Sequence, residues 1–244
     1  MDIRPLGLDS IAGALADGWA LAGASRAIRA TGIAYAGIFT LIGALILGGL
    51  LAQGFTPFVI AAAGAFMLVG PAVLAGFFGI ARAHAAGARI DFSCVLRGFA
   101  AADPTIWVLA LICALLFMIF VTDAAILYSY MVGATPVWLT ELPPAAPGVT
   151  NFLFWGAVSG CVIAFLLFCV SAFSVPLLCE RRAGLVTAVV ASVRVVFGNF
   201  PAAMAWAALL SGLTIGSILL LPLLPLTLPW LAYASRALYR QVFP

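Results

Sequence analysis

Long apolar runs divide this chain, and every basic residue falls in alternate gaps between them. The chain has eleven basic residues, all of them arginine. Arg4, Arg26 and Arg29 precede the first run, and Arg82, Arg89 and Arg97 separate the second from the third. Arg181, Arg182 and Arg194 separate the fourth from the fifth, and Arg236 and Arg240 stand at the end of the last. The other gaps hold none. Basic residues gathered on one side of successive apolar runs are the positive-inside distribution. The sequence therefore predicts a multi-pass membrane protein with its N-terminus and C-terminus on the cytoplasmic side. Runs of this length exceed the roughly 18 residues a span requires, and in lipid they satisfy their backbone as helices.

Composition excludes the soluble classes. Hydrophobic residues make up 66% of the 244 residues and charged residues 8%, where a soluble domain carries about 25% charged. The net charge of +3 comes from arginines flanking the runs. No basic patch is interleaved with aromatics outside them, so no nucleic-acid partner is expected. Asp2, Asp9 and Asp17 interrupt the N-terminal stretch, which therefore does not read as a cleaved signal. Cys94, Cys113, Cys161, Cys169 and Cys179 form no C-x-x-C pair, and no disulfide is expected.

The expected architecture is all-α, a single integral-membrane domain over 1–244. It is a bundle of six spans at about 31–52, 57–81, 104–132, 151–178, 200–219 and 221–237. Amphipathic helices are expected on the arginine side over 8–30, 91–101 and 183–198. In the first, Leu8, Ile11, Leu15, Trp19 and Ala22 share a face, with Asp9 and Asp17 on another. In the last, Leu185, Val189, Val193 and Val196 fall together, with Thr187, Ala191 and Arg194 opposite. Each amphipathic segment precedes a pair of spans, which suggests three repeated units. Glycines such as Gly37, Gly48, Gly49, Gly70, Gly76 and Gly79 predict close helix packing. Pro71, Pro176, Pro222, Pro225 and Pro229 predict kinks or breaks. The outer connection around Trp138 and Glu141 is proline-rich and predicts irregular chain.

No catalytic constellation is legible. The only histidine, His84, lies outside the spans, and neither a metalloprotease, nucleophile-elbow nor phosphate-loop motif occurs. No catalytic residue, cofactor or metal is assigned. Asp123 is the one acid well inside a span, where an ionisable side chain is costly. It reads either as an interfacial acid about 28 Å along its helix, or as a proton or cation site, or as a contact to a partner. Glu180, Arg181, Arg182 and Arg194 are candidate contacts on the cytoplasmic rim.

Two stretches carry a family resemblance. One is Phe66-Met-Leu-Val-Gly-Pro71, running on to Gly76 and Arg82. The other is Phe173-Ser-Val-Pro-Leu-Leu-Cys-Glu-Arg181, with Thr187 to Arg194, Asn199 and the ending Ala237-Leu-Tyr-Arg240. Together they resemble the bacterial integral-membrane family catalogued as domain of unknown function 2189. Members are sometimes labelled cytochrome c oxidase subunits, and the family brings no catalytic residues with it. Where members often carry histidines near the last span, Tyr233 and Ala237 stand here. The resemblance implies a bacterial inner-membrane protein. The expected role is a non-catalytic accessory or structural subunit, in contact with the bilayer and with a larger, respiratory-type complex. The alternative is a small-solute or ion transporter with Asp123 in its pathway.

Overall fold

The computed structural model describes residues 4–52, 56–133 and 147–244, and among these the chain is helical with no strand. The helices are α1 (Leu8–Gly23), α2 (Arg26–Ala52), α3 (Thr56–Ala85), α4 (Ser93–Ala101), α5 (Ile106–Met131), α6 (Pro147–Ser171), α7 (Ser174–Cys179), α8 (Leu185–Gly198), α9 (Phe200–Leu219) and α10 (Leu224–Val242). The connection carrying Trp138 and Glu141 lies outside the described residues.

Four helical stretches are long and apolar enough to cross a membrane: Arg26–Gly49, Ile106–Met131, Gly148–Cys179 and Phe200–Ile218. The expected second span falls on α3, whose first-half side chains are not described. The expected sixth run is divided. Leu221–Leu223 forms a 3-10 turn, and α10 then carries Arg236 and Arg240 within its helix. The amphipathic segment expected over 8–30 is also divided, because α1 stops at Gly23 and Arg26 opens α2.

Burial is concentrated at one end. The buried residues of α2 run from Ile28 to Ala36 with Gly43 beyond them, those of α3 from Ala72 to Ala81, and those of α5 from Ile106 to Cys113. In α6 and α7 they run from Cys169 to Cys179, in α9 from Ala202 to Trp206, and in α10 from Leu231 to Val242. Among the described residues the long helices are thus buried mainly at their arginine-proximal ends; Gly43, Val149 and Ser217 are buried nearer the far end. The cause is the solvent. Lipid tails are as apolar as leucine, so a span gains nothing by hiding its side chains. Where the helices meet water, the same side chains must be covered.

This moves the expected faces of the amphipathic helices. In α1 the buried residues are Ile11, Ala14 and Gly18, while Leu8 and Trp19 are exposed. In α8 they are Ala188, Ala191, Ser192, Val195 and Val196, so Ala191 faces the core rather than the polar side. Small residues win these positions because the helices cross at short range. A Cβ on Gly18 would stand 2.6 Å from the Ala234 amide nitrogen of α10. One on Gly79 of α3 would stand 2.7 Å from the Gly98 Cα of α4. By contrast Gly37, Gly48, Gly49 and Gly70 meet nothing within 4 Å. Close packing by glycine is thus concentrated at the arginine end but not confined to it: a Cβ on Gly148, at the start of α6, would run into the Met131 carbonyl at the end of α5.

Two of the short helices share a packing rule. α4 lies on α3, α8 lies on α6 and α7, and α1 lies on α10. α4 and α8 each rest on the hairpin that precedes them, whereas α1 closes the first helix onto the last.

Pro176 breaks the fourth run as expected. Its ring opposes the carbonyl of Ala172 and it has no N–H, so α6 ends at Ser171 and α7 restarts at Ser174. The break frees backbone groups in a dry core. Ser192, fully buried on α8, satisfies two of them: its hydroxyl donates to Cys169 O at 2.7 Å and accepts from Phe173 N at 3.2 Å.

Candidate functional site

Three consecutive charged residues, Glu180-Arg181-Arg182, follow α7. The helix closes in a Schellman turn. Arg182 N donates to Leu177 O and Arg181 N to Leu178 O, and Arg181 takes the left-handed position at φ 52°. Glycine is the usual occupant, and α3 uses Gly87 at φ 63° in the same turn. A side chain there costs about 1–2 kcal/mol. The turn sends the three charged side chains to two elements, Arg181 to α4 and both Glu180 and Arg182 to α10.

Glu180 turns to α10. Arg236 Nε donates to Glu180 Oε1 at 2.8 Å, and Arg240 Nη2 donates to the same oxygen at 3.2 Å. The Arg236 guanidinium also lies 5.9 Å from the ring centre of Phe78. Arg181 turns to the end of α4, where Nη2 donates to Ala102 O at 3.1 Å and to Ala100 O at 3.3 Å. Arg182 turns to the end of α10, donating to Phe243 O at 2.7 Å and to Pro244 O at 2.8 Å. From α3, Arg82 completes the clasp by donating to Cys179 O at 3.1 Å and Gly98 O at 3.3 Å.

One chemical logic covers these contacts. The last carbonyls of a helix lack intrahelical donors and carry the negative end of its dipole. Arginines supply both donor and charge there. Arg82, Arg181 and Arg182 between them cap the C-terminal turns of α7, α4 and α10. Tyr239 stands among them, and burial raises its phenol above the ordinary range, so the ring serves as an uncharged wall.

The candidates from the sequence are thus divided. Glu180, Arg181 and Arg182 come together: Glu180 is buried against α10, while Arg181 and Arg182 remain exposed and bond to backbone carbonyls of this chain. Arg194 is exposed on α8, away from them. Asp123 sits in the far half of α5, and its Oδ2 is buried without a hydrogen-bond partner among the described residues. Arg82, Arg236, Arg240 and Ser192 are the residues that sequence reasoning missed. The i, i+4 spacing of Arg236 and Arg240 beside an apolar helix face was the available signal for two of them. No cluster of three or more His, Cys, Asp or Glu side chains that could hold a metal forms among the described residues.

Two cavities flank the clasp. One of about 320 Å³ lies between α1 and α10, bordered by Asp17, Tyr233, Arg236, Arg240 and Gln241. The other, of about 340 Å³, lies beside Glu180, Arg182, Arg240 and Phe243.

Neither the curated proteins nor the solved structures offer a match to this chain. A family model, described as predicted integral membrane protein (DUF2189), matches residues 58–180. That range takes in the first resembling stretch and the second as far as Glu180; Thr187 to Arg194, Asn199 and Ala237 to Arg240 lie beyond it. The matched half holds α3 to α7, from the Gly79 crossing to the glutamate of the clasp, and the chain belongs to this family of integral membrane proteins.

Proposed function

We propose that this protein is a non-catalytic accessory or structural component of a larger membrane assembly, with the arginine end as its rigid base. The observation that carries this reading is an uncovered glycine face on α9. Gly212 and Gly216 stand four residues apart, and a Cβ added at either would meet nothing within 4 Å among the described residues. Glycines at this spacing are where one membrane helix lets another approach closely. The spans as a group are poorly covered by their own chain. The buried share of the most apolar stretch is 22% in α2, 17% in α5, 39% over 148–179 and 22% in α9.

In this reading the chain crosses a bacterial inner membrane six times, with both termini cytoplasmic. α3 and the first half of α10 supply the second and sixth crossings. The three units would be α1 to α3, α4 to α7 and α8 to α10, each a short helix and a hairpin, and the packing of α4 and of α8 on the hairpin before it supports this. Extraction in several mild detergents tests the assembly. A high-mass species with co-purifying subunits is expected; recovery only as a lone monomer or homodimer would contradict it.

A second reading, a small-solute or ion transporter, rests on the unpartnered Oδ2 of Asp123 within α5. It requires Asp123→Asn to abolish uptake in proteoliposomes, and it is lost if flux in that variant equals the wild type.

A further inference from the structure

The outward face of α8 differs from the other amphipathic faces at the arginine end. Val186, Val190, Arg194 and Phe197 recur on it at helical spacing, and all are exposed, Val186 by 75% and Phe197 by 60%. α8 contains no acid, whereas α1 carries Asp9 and Asp17 and α4 follows Asp91. The arginines of the clasp are all engaged by this chain, but Arg194 has no hydrogen bond or ion pair among the described residues. A surface helix turned to water carries polar side chains on its outer face. This one presents bulky apolar side chains around a single cation.

The packing of α8 says what lies against that face. Ser192 bonds to Cys169 O and Phe173 N, at the break between α6 and α7. Further along, Phe197 packs edge-on to Phe165 of α6 with ring centres 5.8 Å apart, and Phe200 of α9 meets the same ring at 6.0 Å. α8 thus runs from the charged rim back along a helix long and apolar enough to cross a membrane. On either side of Phe165 along α6, Val162 and Leu166 are exposed, as is Phe200. The outer face of α8 therefore continues the apolar surface of α6 and α9. Its valines and phenylalanine leave no small-residue groove for a second helix, in contrast to Gly212 and Gly216 of α9. An apolar surface continuous with the spans and bearing one cation matches the edge of a leaflet. Acyl chains lie beside the apolar side chains, and the long arginine stem carries its charge back to the headgroups.

We propose that the outer face of α8 is seated in the lipid leaflet on the arginine side, and that Arg194 binds the phosphate of an anionic phospholipid there. Val186, Val190 and Phe197 enter the acyl boundary, and the guanidinium makes a charge-assisted hydrogen bond at headgroup level. This rests on the spans and on the packing of α8, and it does not need the assembly proposed above.

The test uses the full-length protein in vesicles of phosphatidylcholine and phosphatidylglycerol. A spin-labelled noncanonical side chain at Val190 leaves the native cysteines in place, and its collisions with oxygen and with a water-soluble nickel chelate are compared. Oxygen, which concentrates in lipid, should reach the label more readily than the chelate. A second label at Val186 should give the same order. Labels reached mainly by the chelate would mean that the face is turned to water, and labels shielded from both would mean that another protein or a second copy covers it; either result would overturn the seating. Native mass spectrometry of the purified protein tests the phosphate contact. Arg194→Gln, at an exposed position, should fold like the wild type and bind phosphatidylglycerol about fivefold more weakly, while Arg194→Lys, which keeps the charge, should retain most of the affinity. Unchanged binding by Arg194→Gln would overturn the role of Arg194.

Discussion

Arg236 Nε donates to Glu180 Oε1 at 2.8 Å, and both side chains are more than nine-tenths buried, with 7% and 9% of their surface exposed. This contact ties the end of α7 to α10 across 56 residues of sequence. Arg240, half-exposed, shares the same carboxylate. A pair this deep pays a large desolvation cost, and its removal by halves is worse than its absence, because the orphaned charge stays buried.

Glu180→Gln should therefore lower stability by about 3–5 kcal/mol, since it strands Arg236. Arg236→Met should cost less, because Glu180 keeps Arg240. The double variant Glu180→Leu with Arg236→Met should recover much of the loss. Thermal unfolding in detergent of the wild type and the three variants checks this. A double variant no better than Glu180→Gln would show that the pair does not act as a unit.

Arg181 sets two effects against each other. Arg181→Ala keeps the left-handed strain and loses the bonds to Ala100 O and Ala102 O. Arg181→Gly loses the same bonds but relieves the strain, and should be more stable than the alanine variant by about 1 kcal/mol. Unfolding midpoints of the two variants decide it; an alanine variant as stable as the glycine one would mean that the turn relaxes.

Ser192→Ala should leave Phe173 N and Cys169 O unpaired in a core that excludes water. The expected loss is about 2 kcal/mol, beyond what one lost hydroxyl costs at the surface. Hydrogen exchange gives the sharper reading. The amide of Phe173 should lose its protection while those of α8 keep theirs.

Gly79 and Gly37 differ in what a methyl group would meet. Gly79→Ala drives a methyl into the backbone of α4 and should destabilise by about 1–3 kcal/mol. Gly37→Ala meets open space, and alanine favours a helix by about 1 kcal/mol, so it should be neutral or stabilising. Equal losses at both positions would show that the spans pack as tightly as the base.

Much of this was readable from residue order alone, and the failures have physical causes. Apolar length placed the helices, and Pro176 announced its own break. The arginines fall at the end where burial of the long helices is concentrated. Their second role was hidden, because Arg82, Arg181 and Arg182 act on backbone carbonyls, which every sequence has. Helix faces were misjudged where two apolar faces compete. Leu8, Trp19 and Val186 are more hydrophobic than Ala14, Gly18 and Ala188, yet the small residues face the core. A hydrophobic pattern finds apolar surface; it does not tell surface turned to a neighbouring helix from surface turned to lipid. Arg236 was legible as a charge at the end of a run, and only the fold brings Glu180 to it.

The central claim, that uncovered spans receive another membrane protein, is tested most directly at Ile215, exposed beside Gly212 and Gly216 on α9. A photo-crosslinking residue placed there and irradiated in native membranes should give one discrete adduct with a different membrane protein. Adducts with lipid alone, or only with a second copy of this chain, would contradict it.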